Sequence, residues 1–71
     1  MREIDCTGKR CPVPIIEAAK AIKEIKSGET LVLISNDPAT KVDLSAWSRM
    51  TGNDSHQIGE NRFSITKKAT N

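Results

Sequence analysis

The sequence predicts an α+β fold, a two-layer α/β sandwich in which two helices pack on one face of a four-stranded mixed sheet. The first observation is that two stretches, residues 12–27 and 38–51, carry apolar residues at the spacing of three and four that marks one face of a helix. The second is that short alternating or continuously apolar runs lie before, between and after them. The resulting order is βαβαββ, and right-handed crossovers then place both helices on the same side of the sheet.

The first strand is predicted over residues 2–6, where apolar and acidic side chains alternate. Ile4 and Cys6 share one face of this strand, so the pattern places the Cys6 side chain in the core. A turn follows at Gly8, because glycine is the residue that most often interrupts a strand pattern in this way.

The first helix is predicted from Pro12 to the region of Gly28, which suits a C-terminal cap. Its apolar face consists of Ile15, Ala18, Ala19, Ile22 and Ile25. Residues 30–34 follow as a short, continuously apolar run with β-branched members. Such a run is typical of a strand in the middle of a sheet, and we therefore place the second strand there.

The second helix is predicted to begin with Asp37 as its N-cap and Pro38 as its first residue, and to end near Thr51. The residues that share its apolar face are Ala39, Val42, Ala46 and Met50, with Leu44 and Trp47 to one side. Leu44 and Trp47 are therefore the best candidates for exposed apolar side chains, although tryptophan more often belongs to a small core.

The chain closes with a predicted hairpin of two strands, residues 55–58 and 62–67. No repeat or low-complexity linker interrupts the elements. Residues 1–71 are therefore predicted to form a single domain, with residues 69–71 fraying at the end.

Composition argues against several classes of function. The formal net charge is only +2 and the basic residues are scattered, so no direct nucleic-acid binding is expected. The longest aliphatic run, residues 31–34, is far too short to cross a membrane, and the charged residues 1–5 do not resemble a signal peptide. We therefore expect a cytoplasmic protein without a membrane partner.

Cysteine content argues against structural crosslinks and metals. Two cysteines are too few for a disulfide framework, so both thiols are expected to be reduced. Together with the single His56 they lack the paired spacing of zinc ligands. We therefore predict neither a metal site nor a bound cofactor.

The run C-P-V-P at residues 11–14 carries the strongest chemical signal. Pro12 fits the first position of the helix, which makes Cys11 the predicted N-cap. Pro14 still lies in the first turn, where a missing N–H breaks no helical hydrogen bond. Since the two prolines have no N–H, the main backbone donors expected to be free to bind an anion are those of Cys11 and Val13.

The thiol of Cys11 is predicted to be more acidic than that of a free cysteine. It lies at the positive end of the helix dipole, and Lys9 and Arg10 precede it directly. Both features favour thiolate, the species that attacks sulfane sulfur as it attacks disulfides. Cys11 is thus the candidate catalytic residue, with Lys9 and Arg10 tuning its thiolate or docking a partner.

Two roles remain open for Cys6. Its position in the first strand favours packing in the core, where free cysteine behaves as a small apolar residue. The alternative is that Cys6 acts as a resolving thiol, which forms a disulfide with an oxidised or persulfidated Cys11.

Residues 5–14, with the sequence D-C-T-G-K-R-C-P-V-P, resemble the signature D-x-x-G-x-x-C-P-x-P of the TusA/SirA-like sulfur-carrier family. Residues 36–40 and 45–47 look like the family's second helix and its start, so the resemblance covers nearly the whole chain. It implies a single sulfur-carrier domain with a two-layer fold.

The resemblance implies that Cys11 holds sulfur as a persulfide, with Gly8, Pro12 and Pro14 as the supporting residues of the motif. The implied partners are a sulfur donor, either a cysteine desulfurase or a rhodanese-like protein, and a downstream relay protein. The implied pathways are tRNA thiolation, sulfur oxidation and cofactor synthesis. One departure is Lys9, where the family usually has leucine.

Three functional hypotheses are compatible with the sequence. The leading one is a sulfur carrier of the sulfurtransferase type, which depends on partner proteins for turnover. The alternative is a thiol-based redox or regulatory module that uses a disulfide between Cys6 and Cys11. The third is an RNA-binding module, which rests on analogy of fold and a modest positive charge alone.

Overall fold

The computed structural model describes residues 2–68, and it confirms the order βαβαββ. The elements are β1 (Arg2–Asp5), α1 (Val13–Ile22), β2 (Thr30–Ile34), α2 (Thr40–Thr51), β3 (Asp54–Gly59) and β4 (Arg62–Thr66). The predicted fraying of residues 69–71 lies outside the described residues. Within the described part of the chain, neither helix has the length and apolar character that a membrane span requires.

The four strands form one mixed sheet in the order β1-β2-β4-β3. The two helices contact each other and share one core with the sheet, so both lie on the same face. Strand β1 is parallel to β2, whereas β4 is antiparallel to β2 and to β3. Because β1 and β2 are parallel neighbours, their carboxyl ends meet at the same edge of the sheet. The loops that lead into α1 and α2 are therefore adjacent, although far apart in sequence.

The core lies between the sheet and the two helices, and Cys6 belongs to it. Its buried members are Cys6, Ala18, Ala21, Ile22, Leu31, Leu33, Leu44, Phe63 and Ile65. Cys6 has an exposed fraction of 0%. The prediction that strand parity places the Cys6 side chain in the core is thus confirmed.

The prediction of which face of α2 packs against the core is wrong. Val42 and Met50 are 70% and 86% exposed, whereas Leu44, expected among the exposed apolar side chains, is only 1% exposed. The buried face contains Thr40 instead, whose hydroxyl lies 2.7 Å from the hydroxyl of Ser35. Because that hydrogen bond satisfies both polar groups, a threonine can occupy a core position that hydrophobicity alone would assign elsewhere.

Both helices are shorter than the sequence predicts. Helix α1 ends at Ile22, and the backbone N–H of Glu24 then bonds to a carbonyl three residues back, which tightens the last turn. Gly28 lies in the following loop with a φ of +87°, and its N–H bonds to the carbonyl of Lys67 at 3.0 Å. Gly28 therefore shapes the approach to β2 and is not the cap of α1.

Helix α2 begins at Thr40, two residues after the predicted Pro38. The Asp37 carboxylate accepts the N–H of Ala39 at 3.1 Å, and the Asp37 carbonyl accepts the N–H of Thr40 at 3.0 Å. Asp37 thus caps a tight turn that precedes the helix, and this turn displaces the helix start from its predicted position.

Candidate functional site

Cys11 is exposed in the loop between β1 and α1, one residue before the residue that caps α1. The helix cap is Pro12, and helical geometry begins at Val13, so the prediction that Cys11 is the N-cap is wrong. The reason is a turn in which the N–H of Val13 bonds to the carbonyl of Arg10 at 2.8 Å. Pro14 is fully buried and anchors the start of α1 in the protein.

Two side chains from the β2–α2 loop hold the Cys11 loop in place. The N–H of Gly8 donates to Asn36 Oδ1 at 2.9 Å, and the N–H of Cys11 donates to Asp37 Oδ2 at 2.5 Å. Gly8 has a φ of +85°, a conformation that other residues rarely adopt. The N–H groups of Cys11 and Val13, expected to be free for an anion, are both engaged by the protein itself.

The thiol of Cys11 contacts a carboxylate from the first turn of α2. Cys11 Sγ lies 2.5 Å from Asp43 Oδ2, and the thiol donates this hydrogen bond. That bond is the largest reason why the pKa of Cys11 lies above its ordinary value, followed by partial desolvation of the thiol and by the negative charges of Asp43 and Asp37. The expectation of a more acidic thiol is therefore wrong, because the nearby carboxylates favour the neutral form.

The charge of Arg10 acts on a carboxylate beside the thiol. The pKa of Asp37 is lowered first by the N–H of Ala39 and then by the N–H of Cys11. Arg10 lowers it further through its positive charge. Arg10 thus stabilises the ionised carboxylate that fixes the Cys11 backbone.

Lys9 lies along the groove between β1 and α1, which is also lined by Glu17 and Glu24. Its positive charge contributes to a lowered pKa of Asp5, whose main cause is hydrogen bonding by Thr7. Lys9 is exposed, so its ammonium group is available to a protein that approaches this groove.

The two cysteines have different surroundings, and both are free thiols. Burial raises the pKa of Cys6, which keeps this thiol neutral and unreactive. Cys6 packs in the core, whereas the exposed thiol of Cys11 donates a hydrogen bond to Asp43.

Alkylation by iodoacetamide should modify Cys11 alone in the native protein, and slowly at neutral pH. Because the pKa of Cys11 is raised, its thiolate fraction at a given pH is smaller than in a free cysteine. The rate should rise with pH and level off only above the raised pKa of Cys11, at a higher pH than for a free cysteine, which mass spectrometry over a pH series can measure. Faster modification than free cysteine at neutral pH would contradict the contact with Asp43.

Among residues 2–68, no group of three or more histidine, cysteine and acidic side chains is placed to hold a metal ion. His56 is exposed on β3, at the far edge of the sheet from β1. The groups that surround Cys11 are the carboxylates of Asp37 and Asp43, the side-chain oxygen of Asn36 and backbone N–H groups.

Asn36, Asp37 and Asp43 are the site residues that sequence reasoning missed. It identified Asp37 only as a helix cap and gave no role to the other two. The signal that could have identified them is the parallel pairing of β1 with β2. It brings Asp37 and Asp43, which follow Cys11 by 26 and 32 positions, within hydrogen-bonding distance of it.

Comparison with known proteins finds relatives that are named as sulfur carriers. A model of the family described as "Sulfurtransferase TusA" matches residues 2–67. A relative from Allochromatium vinosum, named sulfur carrier protein TusA, is 38% identical over 53 residues, which make up 75% of this chain and 70% of that protein. A putative sulfur carrier protein, YrkI of Bacillus subtilis, is 41% identical over 51 residues, which make up 72% of this chain and 68% of that one.

A solved structure shares the fold. The crystal structure of a SirA-like protein from Desulfitobacterium hafniense matches with a TM-score of 0.83. The match covers 97% of this chain and 100% of the other at 24% sequence identity. At this identity the likeness concerns the arrangement of helices and strands.

Proposed function

Since this chain belongs to the TusA family, whose members include sulfur carrier proteins, we propose that it carries a sulfane sulfur atom as a persulfide on Cys11. The observation that supports this most is an exposed thiol on a loop that two neighbouring side chains hold in place. A carrier must present its sulfur to more than one protein, and an exposed, positioned thiol meets that requirement.

Loading transfers one sulfur atom from a donor protein that already carries a persulfide. Cys11 Sγ attacks the outer sulfur of the donor, and a new S–S bond forms as the donor's own S–S bond breaks. The electron pair of the broken bond stays on the donor's inner sulfur, which leaves as a thiolate and becomes a thiol on protonation. Sulfane sulfur moves from one thiol to another without net oxidation or reduction.

The family implies partners that donate and accept sulfur. We propose a cysteine desulfurase or a rhodanese-like protein as donor, and a relay or thiolating protein as acceptor. Lys9 and Arg10 are exposed beside the thiol, and they are suited to contact acidic groups on such partners. Gly8, Pro12 and Pro14 shape the loop that presents the sulfur. Because the sulfur comes from one protein and goes to another, turnover depends on these partners.

The test is sulfur uptake measured by intact mass. The protein is incubated either with a cysteine desulfurase and cysteine, or with glutathione persulfide, which requires no protein docking. We expect a gain of one sulfur atom that dithiothreitol removes, and we expect Cys6→Ala to gain it too. Uptake from glutathione persulfide alone would mean that another donor protein serves this carrier.

Failure of both donors to add sulfur to the wild type would overturn the proposal. Equal addition to Cys11→Ser would do the same, since serine cannot hold a persulfide. A requirement for Cys6 would instead favour the redox module that uses a disulfide between the two cysteines.

A further inference from the structure

We propose that Asp43 is a catalytic residue that takes the proton from the Cys11 thiol when sulfur is received and returns a proton to Cys11 Sγ when sulfur is passed on. This inference rests on the proposed function and assigns a second residue to it. It explains why a carboxylate, which disfavours thiolate, lies against the thiol of a sulfur carrier.

The contact joins the reacting sulfur directly to a proton acceptor. Asp43 Oδ2 lies 2.5 Å from Cys11 Sγ, which is within reach for proton transfer. Both ends of this contact are held by their backbones. Asp43 precedes Leu44, which is buried in the core at 1% exposure, and the N–H of Cys11 is fixed by Asp37.

The charges around the thiol favour its protonated form at rest. Asp43 faces it from α2, Asp37 faces its backbone from the β2–α2 loop, and Lys9 and Arg10 precede it in its own loop. The two carboxylates raise the pKa of Cys11, with the hydrogen bond to Asp43 as the largest cause. The thiolate is therefore produced during transfer and is not maintained between transfers.

A thiol of higher pKa also gives a more nucleophilic thiolate once the proton has left. A neighbouring carboxylate that accepts the proton during the attack combines this nucleophilicity with a resting state that resists unwanted oxidation. The arrangement suits a carrier that must react with persulfides and spare other electrophiles.

The loading step moves one proton and one sulfur atom. The Cys11 thiol proton moves to Asp43 while Sγ forms its bond to the donor's outer sulfur and the donor's S–S bond breaks. The proton on Asp43 then passes to the thiolate that leaves. In onward transfer an acceptor thiol gives its proton to Asp43 as its sulfur attacks the outer sulfur. Asp43 passes this proton to Cys11 Sγ as the S–S bond breaks and that sulfur leaves. Because one thiol gains the sulfane sulfur that the other loses, neither direction needs an external oxidant or reductant.

The variant Asp43→Asn separates this role from a purely electrostatic one. Asparagine keeps the size and a hydrogen-bonding oxygen, but it cannot take up a proton. The matched control is Asp54→Asn, because Asp54 is an exposed carboxylate on β3 at the far edge of the sheet. Two rates are measured on each protein at neutral pH: alkylation by iodoacetamide and sulfur uptake from glutathione persulfide.

We expect the two rates to change in opposite directions in Asp43→Asn. Alkylation should become several-fold faster, because loss of the negative charge lowers the pKa of Cys11 and increases its thiolate fraction. Sulfur uptake should become slower by about 10²-fold, the usual contribution of general acid–base catalysis. Asp54→Asn should leave both rates unchanged, and circular dichroism should show that both variants are folded.

An increase in both rates would overturn the inference, since Asp43 would then only restrain the thiol. Unchanged uptake, or equal decreases in both rates, would also overturn it. If the wild type takes up no sulfur at all, the proposed function fails, and the alkylation rates still report separately whether Asp43 controls the thiol.

Discussion

Replacing Cys11 with serine is expected to abolish sulfur uptake and onward transfer while leaving the fold nearly as stable as the wild type. Serine has no thiol, so it cannot form the S–S bond that stores the sulfur. Cys11 is exposed, and a serine hydroxyl can still donate to Asp43, so the free energy of unfolding should change by less than about 0.5 kcal/mol.

Transfer of labelled sulfur measures this loss. Labelled cysteine and a desulfurase load the protein, and the label is then followed into an acceptor thiol such as glutathione. Cys6→Ala is the control, because it removes the other thiol and is expected to retain both steps. Label carried by Cys11→Ser, at the level of the wild type, would show that the sulfur resides elsewhere.

Replacing Leu44 with alanine is expected to lower the free energy of unfolding by about 2–5 kcal/mol. Leu44 is 1% exposed and joins α2 to the core between helices and sheet. A chain of this length rarely has more than about 3–5 kcal/mol from its core, so the variant should be close to unfolding at room temperature.

Urea unfolding followed by circular dichroism measures this effect, with Met50→Ala as the matched control on the same helix. Met50 is 86% exposed, so its truncation should change the unfolding free energy by less than about 0.5 kcal/mol. Equal destabilisation by the two changes would mean that α2 packs through the face predicted from the sequence, and the described orientation would be wrong.

The fold could be predicted from the sequence because its helices and strands have clear local periodicities. The β2 strand was predicted with its observed bounds, and the parity of β1 placed Cys6 correctly in the core. The orientation of α2 could not be predicted in the same way, because hydrophobicity favours Val42 and Met50 as members of the buried face. The helix instead buries Thr40, whose hydroxyl is satisfied by Ser35, a contact that exists only in the folded protein.

Only the part of the site that is local in sequence, the loop at Cys11, could be predicted. The C-P-V-P run drew attention to Cys11, but the expected acidity of its thiol considered only the helix dipole and the adjacent basic residues. Asp43 reverses that expectation from 32 residues away. Its contribution depends on the parallel pairing of β1 with β2, which the βαβ order favours, and on the orientation of α2, which the hydrophobic pattern misassigned.

The most direct test of the account is to locate the transferred sulfur by peptide mass spectrometry. After loading and alkylation, trypsin separates the two cysteines, because Lys9 and Arg10 lie between them. We predict the added sulfur on the peptide that begins at Cys11, and an unmodified Cys6 that is alkylated only after denaturation. Added sulfur on Cys6, or a disulfide between Cys6 and Cys11 as the main product, would contradict the assignment of Cys11 as the carrier thiol.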